Sequence, residues 1–140
     1  MGLIRRIDGE AREHFAEIVA QWGYPRAVSE REIATGVWYT NGDAIVWYVW
    51  PTPVGVPEPP GFEDVLAVHG IADPQRKAQA LTPRMAIALE VIGELLGARK
   101  LYSLIPRETP NMPVRAMRRY LRRYGWIEDE FGSYKLLGGG

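Results

Sequence analysis

A β-hairpin signal in the first half of the chain restricts the possible folds more than any other feature. The segment VWYTNGDAIVWYVW joins two runs of β-branched and aromatic residues through Asn41-Gly42. This pair best tolerates the positive φ angles of a type I′ turn. We therefore expect two antiparallel strands here, and any fold assigned to the chain has to include them.

Two helices are predicted before the hairpin. Residues Gly2 to Ile7 form a short strand candidate, and Asp8 is placed to cap a helix that ends at Gly23. Apolar residues recur at helical spacing along it, at Ala11, Phe15, Ile18, Val19 and Trp22. Ser29 with Glu32 has the spacing of a capping box, which predicts a second, short helix up to Gly36.

A strand and a helix are predicted after the hairpin. Five prolines, at positions 51, 53, 57, 59 and 60, indicate an extended loop that leads to a strand from Asp64 to Ile71. Thr82 is a candidate N-cap with Pro83 at the first helical position, and Gly97 ends that helix. Its apolar face is formed by Met85, Ala88, Leu89, Ile92, Leu95 and Leu96.

The remaining chain predicts a strand, a helix and a final strand pair. Leu101 to Ile105 is the strand, Pro113 to Tyr124 is the helix, and Gly125 ends it. WIEDE and SYKLL then flank a turn at Phe131-Gly132. This order predicts an α/β domain with a mixed sheet, and 140 residues suit a single domain spanning 1–140.

Composition excludes several kinds of site. The chain has no cysteine, so it cannot form disulfides, a thiolate nucleophile or cysteine-ligated metal sites. His14 and His69 lie in different predicted elements, so we expect no metal site. The formal net charge is zero, which gives no global attraction to nucleic acid or membranes. Because the N-terminus is charged where a signal peptide is apolar, a cytoplasmic location is expected.

The segment between the predicted strand that ends at Ile71 and the helix that begins at Pro83 has features of a phosphate-binding loop. Binding a pyrophosphate without a metal requires backbone N–H groups that converge at the start of a helix, with small side chains around them. In IADPQRKAQALTPRM, a strand end and a turn at Asp73-Pro74 are followed by a basic pair, small residues and a helix start. An ordinary loop with solvated Arg76 and Lys77 is the alternative interpretation.

Residues Val65 to Leu137 resemble the acyl-coenzyme A binding half of GNAT-type N-acetyltransferases. In that family the fourth strand leads into a loop of the form V-x-P-x-x-R-G-x-G-x-G/A, and the same frame here runs from Ala72 to Thr82. Lys77 stands where the family has arginine, and alanine or threonine replaces each glycine. The downstream order also matches, with Gly97-Ala98-Arg99, LYSLI, Asn111 and Gly125-Trp126.

The resemblance implies a fold, a cosubstrate and binding residues. The fold would be a GNAT-like mixed, mostly antiparallel twisted sheet flanked by about four helices, and the cosubstrate would be acetyl-CoA. Main-chain N–H groups near Ile71 and Ala72 would polarise the thioester carbonyl. The other residues implied to bind the cosubstrate are Lys77, Ala78, Gln79, Ala80, Leu81, Thr82 and Asn111.

Acetyl transfer to an amine also requires a base and an acid. Glu63, Asp64 and His69 lie near or on the predicted strand, and His69 has the unperturbed pKa best suited to neutral pH. The family often places its acid, a tyrosine, four residues before the glycine of the G-F step, where this chain has Leu121. Tyr120 is the neighbouring candidate. Structural roles in packing are the alternative for both His69 and Tyr120.

Two surfaces are candidates for partners. Aromatic residues crowd the hairpin, where they either pack across the strands or contact an amine acceptor. The last predicted helix carries arginines at i, i+3, i+4, i+7 and i+8. Nucleic acid, an acidic protein surface and the 3′-phosphate of coenzyme A are all suitable anions. Zero net charge ranks an acidic protein partner or self-association above sequence-specific DNA binding. These arginines are Arg115, Arg118, Arg119, Arg122 and Arg123.

Two functions therefore remain open. The first is an acetyl-CoA-dependent N-acetyltransferase that acts on a small-molecule or peptide primary amine by direct attack. The second is a catalytically inactive GNAT-like domain that serves as a structural or protein-binding component of a larger assembly, such as a phage particle, which would place it in a virion. The loop without glycine and Leu121 favour the second function.

Overall fold

The computed structural model describes residues 4–22, 28–50, 64–76, 81–103, 112–129 and 132–138, apart from the side chains of 112–116. The strands are β1 Arg5–Ile7, β2 Val37–Thr40, β3 Ala44–Val49, β4 Val65–Ala72, β5 Lys100–Ser103, β6 Ile127–Glu128 and β7 Ser133–Leu136. The helices are α1 Ala11–Gln21, α2 Glu30–Thr35, α3 Pro83–Leu95 and α4 Met112–Arg123.

The described strands form one mixed sheet of seven strands in the order β1-β2-β3-β4-β5-β7-β6. The pairs β1–β2, β2–β3, β5–β7 and β6–β7 are antiparallel. The pair β4–β5 is parallel, with Val65 opposite Lys100 and Ala67 opposite Tyr102. This mostly antiparallel sheet with four described helices confirms the predicted fold class.

The chain divides into two compact units. The first contains Met1–Val49 and His69–Thr82, and the second contains Trp50–Val68 and Pro83–Gly140. The boundary falls within β4, whose first four residues belong to the second unit and whose last four belong to the first. A single domain spanning 1–140 stays a prediction.

The core of the first unit lies between its strands and the helices α1 and α2. Trp38 stacks on Trp47 across the β2–β3 pair, with ring centroids 4.7 Å apart and planes inclined by 10°. Their neighbours in this core are Ile7, Val19, Ile45, Val49 and Ile71. Burying such large apolar side chains supplies the main stabilisation of this unit.

The hairpin is confirmed, but its predicted type I′ turn is wrong. Among the described residues of the turn only Gly42 has positive φ, at 95°, whereas type I′ requires it at both central residues. The central residues of the turn are Gly42 and Asp43 instead, because the Asn41 N–H donates to the Ala44 carbonyl at 3.3 Å. Asn41 Oδ1 stabilises this turn by accepting from the N–H groups of Asp43 and Ala44 at 2.9 and 2.8 Å. Asn41 thus acts through its amide oxygen rather than through its backbone conformation.

The two predicted helix starts before the hairpin have different outcomes. Asp8 does not cap α1, because the N-cap is Glu10, which makes no side-chain cap, and Asp8 pairs with Arg6 at 2.9 Å. The capping box of α2 is confirmed, since Ser29 Oγ accepts from the Glu32 N–H at 3.2 Å and Glu32 accepts from the Ser29 N–H. This box fixes the orientation of Glu32.

Helix α3 packs on the sheet of the second unit through Met85, Leu89 and Gly93. A Cβ at Gly93 would lie 2.8 Å from Leu101 and 2.9 Å from Leu137, so the helix approaches β5 and β7 closely. Gly97 ends the helix with φ of 88°, as predicted. Leu95 was assigned to the apolar inner face, but 81% of it is exposed, and that assignment is wrong.

Candidate functional site

Strand β4 carries most of the described residues that were assigned to the site. Its registered parallel pairs with β5 end at Ala67, and the strand continues to Ala72. Beyond that point the Asp73 N–H donates to the Asp43 carbonyl at 2.8 Å. Ile71 is buried and Ala72 is half-buried, so the two residues expected to polarise a carbonyl lie at the end of a strand held beside β3.

The chain turns directly after β4, as predicted for Asp73-Pro74. Asp73 organises the turn, because its side chain accepts from the Gln75 N–H at 3.0 Å and its carbonyl accepts from the Arg76 N–H at 2.9 Å. Three backbone donors at Asp73, Gln75 and Arg76 are therefore already used within the protein. A pyrophosphate would have to be bound by the residues that follow.

Arg76 is fixed by an ion pair rather than simply solvated. Its guanidinium lies 3.1 Å from Asp43 in the β2–β3 loop, although 63% of its side chain is exposed. Leu81 and Thr82 are half-buried at the start of α3. The other residues assigned to cosubstrate binding lie outside the described residues, namely Lys77, Ala78, Gln79, Ala80 and Asn111.

His69 lies on the face of β4 that also carries Ile71, because residues two apart on a strand share a face. Its imidazole stacks on Trp47 with ring centroids 5.6 Å apart and planes inclined by 26°. Burial lowers the pKa of His69 below 6.5, and the negative charge of Glu32 opposes part of that shift. The imidazole is therefore neutral at pH 7 and able to accept a proton.

Glu32 uses both of its carboxylate oxygens. Oε1 accepts from the Ser29 N–H at 3.4 Å and from the Ser29 hydroxyl at 3.1 Å. Oε2 accepts a short hydrogen bond from the indole N–H of Trp47. The carboxylate thus joins the start of α2 to the tryptophan on which His69 stacks.

Sequence reasoning identified His69 but did not connect it with Glu32 and Trp47. The capping-box spacing identified Glu32 only as a helix cap, and the aromatic pattern of the hairpin left open whether its side chains pack across the strands or contact an acceptor. Neither pattern indicates that α2 covers the part of β3 that neighbours β4, because that is a tertiary contact.

Tyr120 lies in the second unit, on α4, with 8% of it exposed. Burial is the largest cause that raises the pKa of its hydroxyl above 10, the charge of Tyr124 adds to it, and a hydrogen bond with the Ala86 backbone opposes it. Tyr120 therefore stays protonated at neutral pH, as a hydrogen-bond donor must. Leu121, at the family's acid position, is 2% exposed and apolar.

The other candidate bases have different outcomes. Asp64 has φ of 57° and lies 3.4 Å from Arg99, whose N–H donates to the Asp64 carbonyl. These contacts give Asp64 a structural role at the start of β4. Glu63 lies outside the described residues.

The arginines of α4 are not equivalent. Arg122 binds both carboxylate oxygens of Glu128 at 2.8 and 2.9 Å, so a residue of β6 neutralises part of this face. Arg119 and Arg123 are exposed, and Arg118 is half-buried. The side chain of Arg115 is not among those that the structure describes. The anion-binding role of this face stays a prediction.

Two kinds of feature are absent from the part of the chain that the structure describes. No group of three or more histidine, aspartate or glutamate side chains is placed to hold a metal ion among those residues. None of the described helices is long and apolar enough to cross a membrane.

Comparison with known proteins gives matches at the level of structure. No protein-family model and no curated protein matches the sequence. One matching structure is yncA, an assigned acetyltransferase from Salmonella typhimurium solved with its cofactor acetyl-CoA, at 14% identity and a TM-score of 0.64, covering 99% of this chain and 95% of that one. Another is the GNAT domain of PAT from S. lividans, at 16% identity and a TM-score of 0.60, covering 96% and 89%.

These matches extend over almost the whole chain, with TM-scores of 0.64 and 0.60. The protein has the GNAT fold. The resemblance noted in the second half of the sequence is therefore confirmed as a fold assignment.

Proposed function

We propose that the protein is an acetyl-CoA-dependent N-acetyltransferase that transfers an acetyl group directly to a primary amine. The observation that carries this proposal is the placement of His69 on β4, where its imidazole stacks on Trp47, the residue that donates to the Glu32 carboxylate. The shared fold with an acetyl-CoA complex supports the choice of cosubstrate. One fold carries many activities, so the proposed activity follows from the residues of the site.

In the proposed reaction, His69 removes a proton from the ammonium form of the acceptor. The free amine then attacks the thioester carbonyl, so that a C–N bond forms and the C–S bond breaks. The nitrogen loses a second proton as the amide forms, and this proton neutralises the departing thiolate. Glu32 stabilises the imidazolium that His69 becomes. The Tyr120 hydroxyl donates a hydrogen bond to the departing thiolate, and its raised pKa keeps it in the donor form.

Binding of the cosubstrate is assigned to the loop between β4 and α3. Because the N–H groups of Asp73, Gln75 and Arg76 are already bonded, we assign the pyrophosphate to Lys77 and to the main chain of residues 78–82. The N–H groups near Ile71 and Ala72 would polarise the carbonyl. The alanine and threonine residues that replace the family's glycines must then adopt φ below zero if their main chain is to approach the pyrophosphate closely.

Isothermal titration calorimetry with acetyl-CoA tests the binding step. We expect a Kd on the order of micromolar, about −8 kcal/mol, and about tenfold weaker binding in Lys77→Ala. The matched control is Arg6→Ala, which removes an exposed cation from β1. No heat at millimolar acetyl-CoA would overturn the proposal.

Thiol release tests the transfer step. The protein contains no cysteine, so a thiol reagent reports only coenzyme A. A panel of primary amines and lysine peptides should release thiol with the wild type and much less with His69→Gln. Thiol release without N-acetyl product would indicate hydrolysis and would contradict direct transfer.

An inactive binding domain is the second candidate. It is favoured by the three loop N–H groups that are already bonded and by the buried, apolar Leu121. The thiol-release assay separates the two candidates, since a catalytically inactive domain releases no coenzyme A with any amine of the panel.

A further inference from the structure

Helix α3 has an exposed apolar stripe on the side opposite its buried residues. Ile87, Val91 and Leu95 are 62%, 47% and 81% exposed. They are spaced at i, i+4 and i+8, which places them about 40° apart around the helix axis. Contiguous exposed apolar side chains of this kind are characteristic of interaction surfaces, whereas isolated ones are common.

Two charged residues of opposite sign lie on the same stripe. At about 100° per residue, Arg84 and Glu94 both fall within about 60° of its centre, and both are exposed. Arg84 lies near the start of the helix and Glu94 near its end. Glu94 Oε1 accepts from the Gly138 N–H at 3.1 Å, a contact with a neutral backbone group that supplies no countercharge. The stripe therefore has a positive end, an apolar middle and a negative end.

This arrangement is self-complementary for an antiparallel pair of identical helices. A two-fold axis at the level of residue 89 brings together positions that lie equally far before and after that residue. Ile87 therefore lies opposite Val91 of the second copy. The same axis places Arg84 opposite Glu94 of the second copy. In a two-fold contact each complementary pair occurs twice, so two apolar contacts are flanked by two ion pairs.

We propose that α3 forms a reversible homodimer by packing antiparallel against α3 of a second copy. A stable interface buries about 800 Å² on each partner, and three side chains supply only part of that area. The dimer is therefore concentration-dependent, in exchange with the monomer. The proposal is independent of the acetyltransferase assignment.

Disulfide trapping tests the register of the pair. Because the chain has no cysteine, each introduced cysteine is a unique reporter. An equimolar mixture of Ile87→Cys and Val91→Cys proteins should form a mixed disulfide dimer under mild oxidation, identified by mass spectrometry. The matched control mixes Val91→Cys with Ile127→Cys, which replaces an exposed residue of β6. Equal trapping in both mixtures would overturn the proposal.

Sedimentation velocity over a concentration series tests the interface in the wild type. We expect the weight-average mass to rise above that of the monomer, and Val91→Glu to remain monomeric while Ile127→Glu behaves as wild type. Arg84→Glu and Glu94→Arg should each weaken the dimer about tenfold, and the double variant should restore it. A monomer at every concentration, or no restoration in the double variant, would contradict the antiparallel pair.

Discussion

The imidazole of His69 and the indole of Trp47 are stacked, with ring centroids 5.6 Å apart and planes inclined by 26°. Since Trp47 is 2% exposed and donates to Glu32, the surface against which His69 rests is fixed. A candidate base with a fixed orientation that is neutral at pH 7 is placed to accept a proton there.

The stability of the protein should decrease below about pH 6.5 because of His69. The unfolded state binds the proton near the ordinary value of 6.5, whereas burial lowers the folded-state pKa. The unfolded state therefore binds more protons as the pH falls through 6.5, and the free energy of unfolding falls with it. Urea denaturation of the wild type and of His69→Gln, which cannot titrate, should show a smaller pH dependence in the variant. Equal dependence in both would contradict the assignment.

Removing the charge of Glu32 should lower the pKa of His69 further. Gln at position 32 keeps only one acceptor, so its NH₂ group would face either Trp47 or Ser29. We therefore compare Glu32→Gln/Trp47→Phe with Trp47→Phe, because phenylalanine removes the opposed donor in both. NMR titration of the His69 ring should give the lower pKa in the double variant. An unchanged pKa would show that Glu32 exerts no charge effect on His69.

Gly36→Ala should destabilise the first unit by about 1–3 kcal/mol. A Cβ at this position would collide with the Glu32 carbonyl and lie 2.8 Å from Trp38 Nε1. It would thereby disrupt the hydrogen bond of 3.0 Å between the Trp38 indole and that carbonyl. Gly42→Ala is the matched control, since it has open space around it but positive φ, and should cost about 1 kcal/mol. Chemical denaturation measures both, and a smaller loss in Gly36→Ala than in Gly42→Ala would contradict the predicted clash.

Tyr120→Phe should reduce kcat by about 10²-fold or more if its hydroxyl assists the leaving thiolate. Affinity for acetyl-CoA should stay within about twofold, because the group acts on charge that develops during transfer. Tyr124→Phe is the control, since Tyr124 packs edge-on against Tyr120 at 5.3 Å and has no assigned role. Kinetics and calorimetry together give the test, and an unaltered kcat would leave Tyr120 as a packing residue.

Local patterns predicted the elements of the fold well, because their causes are local. The capping box at Ser29 and Glu32 and the glycine end of α3 depend on a few neighbouring residues. The turn type at Asn41 was wrong because side-chain hydrogen bonds competed with the backbone preference. Leu95 was assigned inward because its spacing fits the apolar face, yet at the last position of α3 it is exposed.

The candidate site was only partly predictable from the sequence. The loop frame placed residues 71–82 between a strand and a helix. However, the pairing of Asp43 with Arg76 joins residues 33 positions apart, and Glu32 and Trp47 are 15 positions apart. Such contacts depend on how the strands are arranged in the sheet. The spacing of residues along the sequence does not indicate that arrangement.

The shared use of the Glu32 carboxylate has a consequence for sequence divergence. Because one oxygen serves Ser29 and the other serves Trp47, no neutral side chain of this shape satisfies both. Relatives that change position 32 should therefore also change position 29 or 47, so that the three positions covary. We also expect homologues that lack a histidine at position 69 but keep Glu32. In these proteins the glutamate is still required to cap α2 and to accept from the buried indole, even where catalysis has been lost.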